Sequence, residues 1–164
     1  MHRTTSRRGF TLIEILIVVI ILGILAAIVI PQFSSASNDA RKSSLASTAQ
    51  TMRSQIALYR LQHNDVLPGG GAGGFSSATF WTQMTTKTDA TGAAYVAGAA
   101  SGPFGPYMQT TPVNPLAAAQ AWQSTVTDGT SASVPAAPTG FVYDYTGGTG
   151  NFWGTAADGT TIIP

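Results

Sequence analysis

The chain has no cysteine, so two histidines and seven carboxylates are what it offers for acid–base or metal chemistry. His2 stands in a basic N-terminal stretch with Arg3, Arg7 and Arg8, and His63 stands alone farther along. A lone histidine near the end of a helix is more often a partner for the C-terminal dipole, or a surface residue, than a catalyst. Nucleophile–base pairs and zinc sites therefore lack their parts, and no catalytic or metal-ligating residue is assigned. Asp39, Asp65, Asp89, Asp128, Asp144 and Asp158 are scattered without the spacing of a calcium loop. Glu14 is different. It is the only ionisable side chain in the 21-residue run from Phe10 to Ile30. A charge inside a membrane span costs roughly 2.5–3.5 kcal/mol on insertion scales and marks a functional position by default.

The element that positions Glu14 is the apolar run itself. About 20 apolar residues match the hydrocarbon thickness of a bilayer, and that environment forces the backbone bonds inside a helix. Arg3, Arg7 and Arg8 hold its N-terminal side in the cytoplasm. Gly23 and Pro31 weaken the helix, and a kink or local melting is expected from Ala27 to Pro31, because Pro31 has no N–H to donate. Beyond Gln32, Leu45, Ala49, Met52, Ile56 and Tyr59 recur at spacings of four and three, which is one helical stripe. The reading is one helix from Phe10 to about Asn64, roughly 80 Å long at 1.5 Å per residue. Glu14 follows Phe10 by four residues, one turn from the helix start, where it could simply neutralise the N-terminal dipole.

The segment Gly9-Phe10-Thr11-Leu12-Ile13-Glu14 resembles the class III signal of type IV pilins and type II secretion pseudopilins. The resemblance implies cleavage after Gly9 by a prepilin peptidase and N-methylation of Phe10. It implies that Glu14 pairs with the N-terminal amine of a neighbouring subunit during assembly, and that Pro31 marks a helix kink. The fold implied is α+β: a long N-terminal helix, membrane-spanning in its first half, packed on a small antiparallel β-sheet. The chain divides accordingly into a leader (1–9), a transmembrane and polymerisation helix (10–30), an amphipathic continuation (31–66) and a β-rich globular domain (67–164). Implied partners are further copies in a helical filament, the peptidase, an inner-membrane assembly platform, minor pilins or pseudopilins, and membrane lipid. The subunit would wait in the inner membrane and end in a periplasmic or cell-surface filament. Three other readings compete: a secreted enzyme released by a secretory signal cut after Ala36, for which the apolar run is too long; a plain single-pass anchor; and an anchored, non-catalytic binding module.

Composition narrows the rest. Charged residues make up 9% of the chain, against about 25% in ordinary soluble domains. Three of the eight basic residues lie in the leader, which leaves five against seven acids; that mild acidity gives nucleic-acid binding no support. The glycine-rich stretch Gly69 to Gly74 reads as a flexible loop and lacks the Gly-Lys-Ser/Thr ending of a phosphate loop. Ser76 to Thr86 reads as a short helix capped by serine, burying Phe80, Trp81 and Met84. Ala94 to Ala97 reads as a short strand. Gly105 to Pro115 reads as an edge strand or extended connection, because of its prolines. A hairpin is expected about Asp128-Gly129, flanked by Ala121–Val126 and Ser131–Val134. A second is expected from Phe141 to Trp153, with one more turn at Asp158-Gly159, making three to five antiparallel strands over the helix stripe. Major pseudopilins can bind calcium near their C-terminal hairpins. Asp128, Asp144 and Asp158 are the carboxylates in that region, each also suited to forming a turn, and no ligand is assigned.

Overall fold

The computed structural model describes residues 9–71, 73–94, 103–117, 120–132 and 135–163. Its contacts divide the chain into two units, Met1–Ala40 and Arg41–Pro164. One helix, α1 (Leu12–Gln62), contributes to both.

In the first unit every described residue is exposed. Among the described residues the apolar side chains from Phe10 to Ile30 are left uncovered, as expected of a segment whose solvent is lipid or other copies. α1 stays helical through Pro31. The melting expected between Ala27 and Pro31 is therefore absent from the single chain. Proline removes one ladder bond, to the Ala27 carbonyl, and the intact turns on either side hold the helix together.

In the second unit α1 buries Leu45, Ala49, Met52, Ile56 and Tyr59, the same five residues as the sequence stripe. They meet α2 (Ser77–Thr85) and a four-stranded sheet. α2 starts as its sequence dictates: extended Ser76 is the N-cap, and its hydroxyl accepts from Thr79 N at 3.4 Å. Phe80 and Met84, one turn apart, are fully buried, and the Trp81 indole donates to the Ser124 carbonyl at 2.8 Å. Before α2, Gly70–Gly71 (β1) and Gly74–Phe75 (β2) pair as a minimal antiparallel ribbon, where a flexible loop was expected. The ribbon is tied down from outside: Gly69 N donates to Gln83 Oε1 at 2.7 Å, and Ser76 N to the Gly69 carbonyl at 2.9 Å.

The sheet runs β3 (Val126–Asp128), β4 (Phe141–Tyr143), β5 (Phe152–Thr155) and β6 (Ile162–Ile163) in that spatial order. β4–β5 and β5–β6 are antiparallel, joined through Thr146–Gly150 and Asp158–Gly159 as expected. β3 and β4 are parallel, Val126 opposite Phe141 and Asp128 opposite Tyr143. The sheet is thus mixed rather than antiparallel, and no hairpin about Asp128-Gly129 forms among the described residues. Instead Asp128 reaches the next turn, where its carboxylate accepts from Tyr145 N at 3.0 Å, from Thr146 N at 3.1 Å and from the Thr146 hydroxyl. The expected partner strand falls partly outside the described residues, at 133–134, as does most of the strand expected at Ala94–Ala97. Ala94 itself makes a single bridge with Thr88.

Gly105 to Pro115 is an extended connection, not a strand. Asn114 anchors it from a fully buried position: Nδ2 donates to the Gly140 and Thr155 carbonyls, both at 2.8 Å, and Oδ1 accepts from Leu116 N at 2.9 Å.

Phe80, Phe141, Tyr143 and Phe152 form the aromatic centre, with ring centroids 4.9 Å apart for Phe80–Tyr143 and 5.1 Å for Phe141–Phe152. The Tyr143 hydroxyl is buried there with no hydrogen-bond partner among the described residues, and burial pushes the phenol well above its ordinary pKa. An unsatisfied buried hydroxyl costs about 1–3 kcal/mol. Tyr143→Phe, which deletes that oxygen and keeps the ring, is therefore expected to hold or raise the thermal midpoint of the full chain in detergent. A fall of several degrees would show that the hydroxyl has a partner in solution.

Candidate functional site: the start of the apolar helix

The residues around the expected cut form a local structure of their own. Thr11 is the N-cap of α1 and Glu14 is its third residue. Glu14 Oε2 accepts from Thr11 N at 2.8 Å and from the Thr11 hydroxyl at 2.8 Å, while Glu14 N donates back to Thr11 Oγ1 at 3.3 Å. This is a reciprocal capping box, which satisfies N–H groups at the helix start. The signal was present in the sequence as Thr-x-x-Glu before an apolar run. The sequence reading noted the carboxylate and the dipole but not the hydroxyl partner.

Phe10 is 85% exposed. A Cβ built on Gly9 meets nothing within 4 Å. Among the described residues the fold thus gives no packing reason for glycine there. Glu14 has apolar exposed neighbours on its own helix, Ile15, Ile17 and Val18. Its Thr11 hydrogen bonds hold one carboxylate oxygen at the helix start, and both partners are solvent-exposed. A charged donor arriving from another molecule can therefore reach the carboxylate.

The second unit offers no comparable chemistry. Among the described residues no three His, Cys, Asp or Glu side chains gather as a metal site. Asp144 accepts from Gly147 N at 2.9 Å and the Thr149 hydroxyl at 2.6 Å. Asp158 accepts from Thr160 N and Thr161 N, both at 2.9 Å, and from the Thr161 hydroxyl at 2.7 Å. The Thr161 N–H bond is the main reason that the Asp158 carboxyl titrates well below the usual range. With Asp128, all three carboxylates act in turns. His63 is not a surface residue. It is 1% exposed and stacks on Tyr59 with ring centroids 3.8 Å apart, Nδ1 donating to the Tyr59 carbonyl at 2.8 Å and Nε2 bonding Thr88 Oγ1 at 3.0 Å. It bonds a last-turn carbonyl of α1, as a helix-end partner should, but the segment around Thr88 and Phe104 covers it. A shallow cleft lies between Arg60, Asp65, Leu67, Tyr145, Thr146 and Gly148. Its guanidinium is already held by Asp65 Oδ1, at 2.9 Å from Nε and 2.5 Å from Nη2.

α1 is long and apolar enough, in its first half, to cross a membrane. The family model for the prokaryotic N-terminal methylation motif matches residues 4–30. The chain is 35% identical over 86 residues to the type IV narrow pilus major component PilA5 of Thermus thermophilus, covering 49% of this chain and 74% of that protein. It is 36% identical over 62 residues to the type II secretion system core protein G of Klebsiella michiganensis, covering 38% of this chain and 44% of that one. A fimbrial protein of Neisseria meningitidis serogroup A is 35% identical over 75 residues, covering 46% of this chain and 44% of its own. The chain therefore spans less than half the length of these last two relatives. No solved structure matches it. With the methylation motif at the start of its apolar helix, and a pilus component matched over three-quarters of that relative's length, the chain belongs to the type IV pilin and pseudopilin family.

Proposed function

We propose that this protein is a structural filament subunit, made as a precursor that is cleaved after Gly9, N-methylated at Phe10 and polymerised into a type IV pilus or a type II secretion pseudopilus. The observation that carries the reading is Glu14: a carboxylate in an otherwise apolar helix, held by Thr11 at the end where the cut would release an amine. Before processing, the apolar half of α1 stores the subunit in the inner membrane, and the capping box satisfies the helix start. Cleavage creates a positive amine at Phe10, four residues before Glu14. In a bundle of parallel helices, the Glu14 of one copy neutralises the Phe10 amine of the next, while helix–helix packing replaces lipid contacts. A mismatched copy would bury an unpaired charge, so the pair selects register. Pro31 contributes a point of bending, because the Ala27 carbonyl has no N–H partner there. Peptidase, inner-membrane assembly platform and minor subunits are the partners this route requires.

The leader cut can be tested at Gly9. A peptidase that binds the preceding residue in an extended strand has little room for a side chain, whereas the fold has ample room. Gly9→Leu is therefore expected to accumulate in the membrane with its leader attached and to give no sheared filament, with the thermal midpoint of the second unit unchanged. Wild-type processing of Gly9→Leu would remove this site from the proposal.

A further inference from the structure

Nearly every carboxylate of the described residues already has a partner. Glu14 is bound by Thr11, Asp65 by Arg60, Asp89 by Thr91 and Ala93, and Asp128, Asp144 and Asp158 by their turns. Asp39 is the exception: it is exposed on α1 and makes no hydrogen bond or ion pair among the described residues. Two cations in the same condition, Arg41 and Lys42, lie two and three residues farther along the same helix. Unpartnered charges of opposite sign thus sit together on a chain that carries few charges at all.

We infer that Asp39 of one copy pairs with Lys42, and with Arg41 beside it, of the neighbouring copy, forming a second rung in the register set by Glu14. This rests on the Glu14–amine contact proposed above. That contact places residue 14 of one parallel helix level with residue 10 of the next, a stagger of four residues or about 6 Å. Because the copies are identical, the same stagger applies along α1, and it sets residue 43 of the first copy level with Asp39 of the second. Lys42 then falls about 1.5 Å from level and Arg41 about 3 Å, both within reach of their flexible stems. The partner is a second copy of this chain. The rung neutralises charges at a level where the filament would otherwise stack like against like, and it rejects a copy shifted by a turn or more.

The absence of cysteine makes the register directly testable. An Asp39→Cys chain and a differently tagged Lys42→Cys chain would be co-expressed, full length, in cells that assemble the filament, then mildly oxidised. The expected result is a mixed disulfide dimer at least about fivefold more abundant than from Asp39→Cys with Gln50→Cys, since a disulfide needs Cα atoms within about 7 Å. A charge-swapped chain covers the case in which single cysteines impair assembly. Asp39→Lys alone should lose sheared filament at least about tenfold, and adding Arg41→Asp and Lys42→Asp to it should restore most of it, since like charges become opposite again. Filaments that form without the mixed dimer and ignore Asp39→Lys would overturn the rung and leave the filament reading standing. Absence of filament from the unaltered chain would overturn both.

Discussion

Glu14→Ala is expected to be cut and methylated normally and to yield no filament. The peptidase acts on the leader side, and nothing in the capping box touches Gly9, so processing should survive. Assembly should not. Removing one partner of a buried ion pair costs about 3–5 kcal/mol, because the other charge is left unpaired. At about 1.4 kcal/mol per tenfold, that is more than a hundredfold in the affinity of each subunit contact, and every added copy makes the contact again. Sheared-surface yield, normalised to processed subunit in the membrane, is the readout. A Glu14→Ala filament at wild-type level would mean that Glu14 serves only its own helix start, as the Thr11 bonds alone would allow.

A large effect on stability is expected in the second unit, at Gly154. It sits on β5, against the Leu45 side chain of α1. A Cβ there would lie 2.5 Å from both Cγ and Cδ2 of Leu45, which is itself 1% exposed. Neither backbone can retreat without breaking the β4–β5 or β5–β6 pairing. Gly154→Val is therefore expected to cost about 3 kcal/mol, the upper end for overpacking a core, and to lower the thermal midpoint by roughly 10 °C. Leu45→Ala in the same chain should recover part of that loss, because the two residues compete for one space. Circular dichroism of the full chain in detergent measures both. An unchanged midpoint for Gly154→Val would mean that α1 and β5 are not packed as described.

How far the sequence could be read depended on whether the information was local. The α1 stripe is periodic, so Leu45, Ala49, Met52, Ile56 and Tyr59 were legible and are the residues buried. Ser76 as a cap and the turns at Thr146–Gly150 and Asp158–Gly159 follow from short-range chemistry and were legible too. The parallel pairing of β3 with β4 was not, because Asp128-Gly129 carries the chemistry of a hairpin turn. Only the long-range structure shows that Asp128 is needed by Tyr145 and Thr146. The helix-end role of His63 was legible, but its burial was not, since that depends on Thr88 and Phe104, distant in sequence. The glycine-rich ribbon is held by Gln83, which no local pattern links to Gly69. At the candidate site Glu14 stood out by residue type and Gly9 and Phe10 came with the family resemblance, whereas the capping part of Thr11 was read only when its hydroxyl was placed against the carboxylate.

The measurement that tests the central claim most directly is the mass of the mature N-terminus, taken from membrane and sheared-surface fractions of the same cells. The account predicts a methylated peptide beginning at Phe10 in both, with no leader-bearing chain in the sheared material. An N-terminus still at Met1 in sheared material, or one beginning at Ser37, would contradict it.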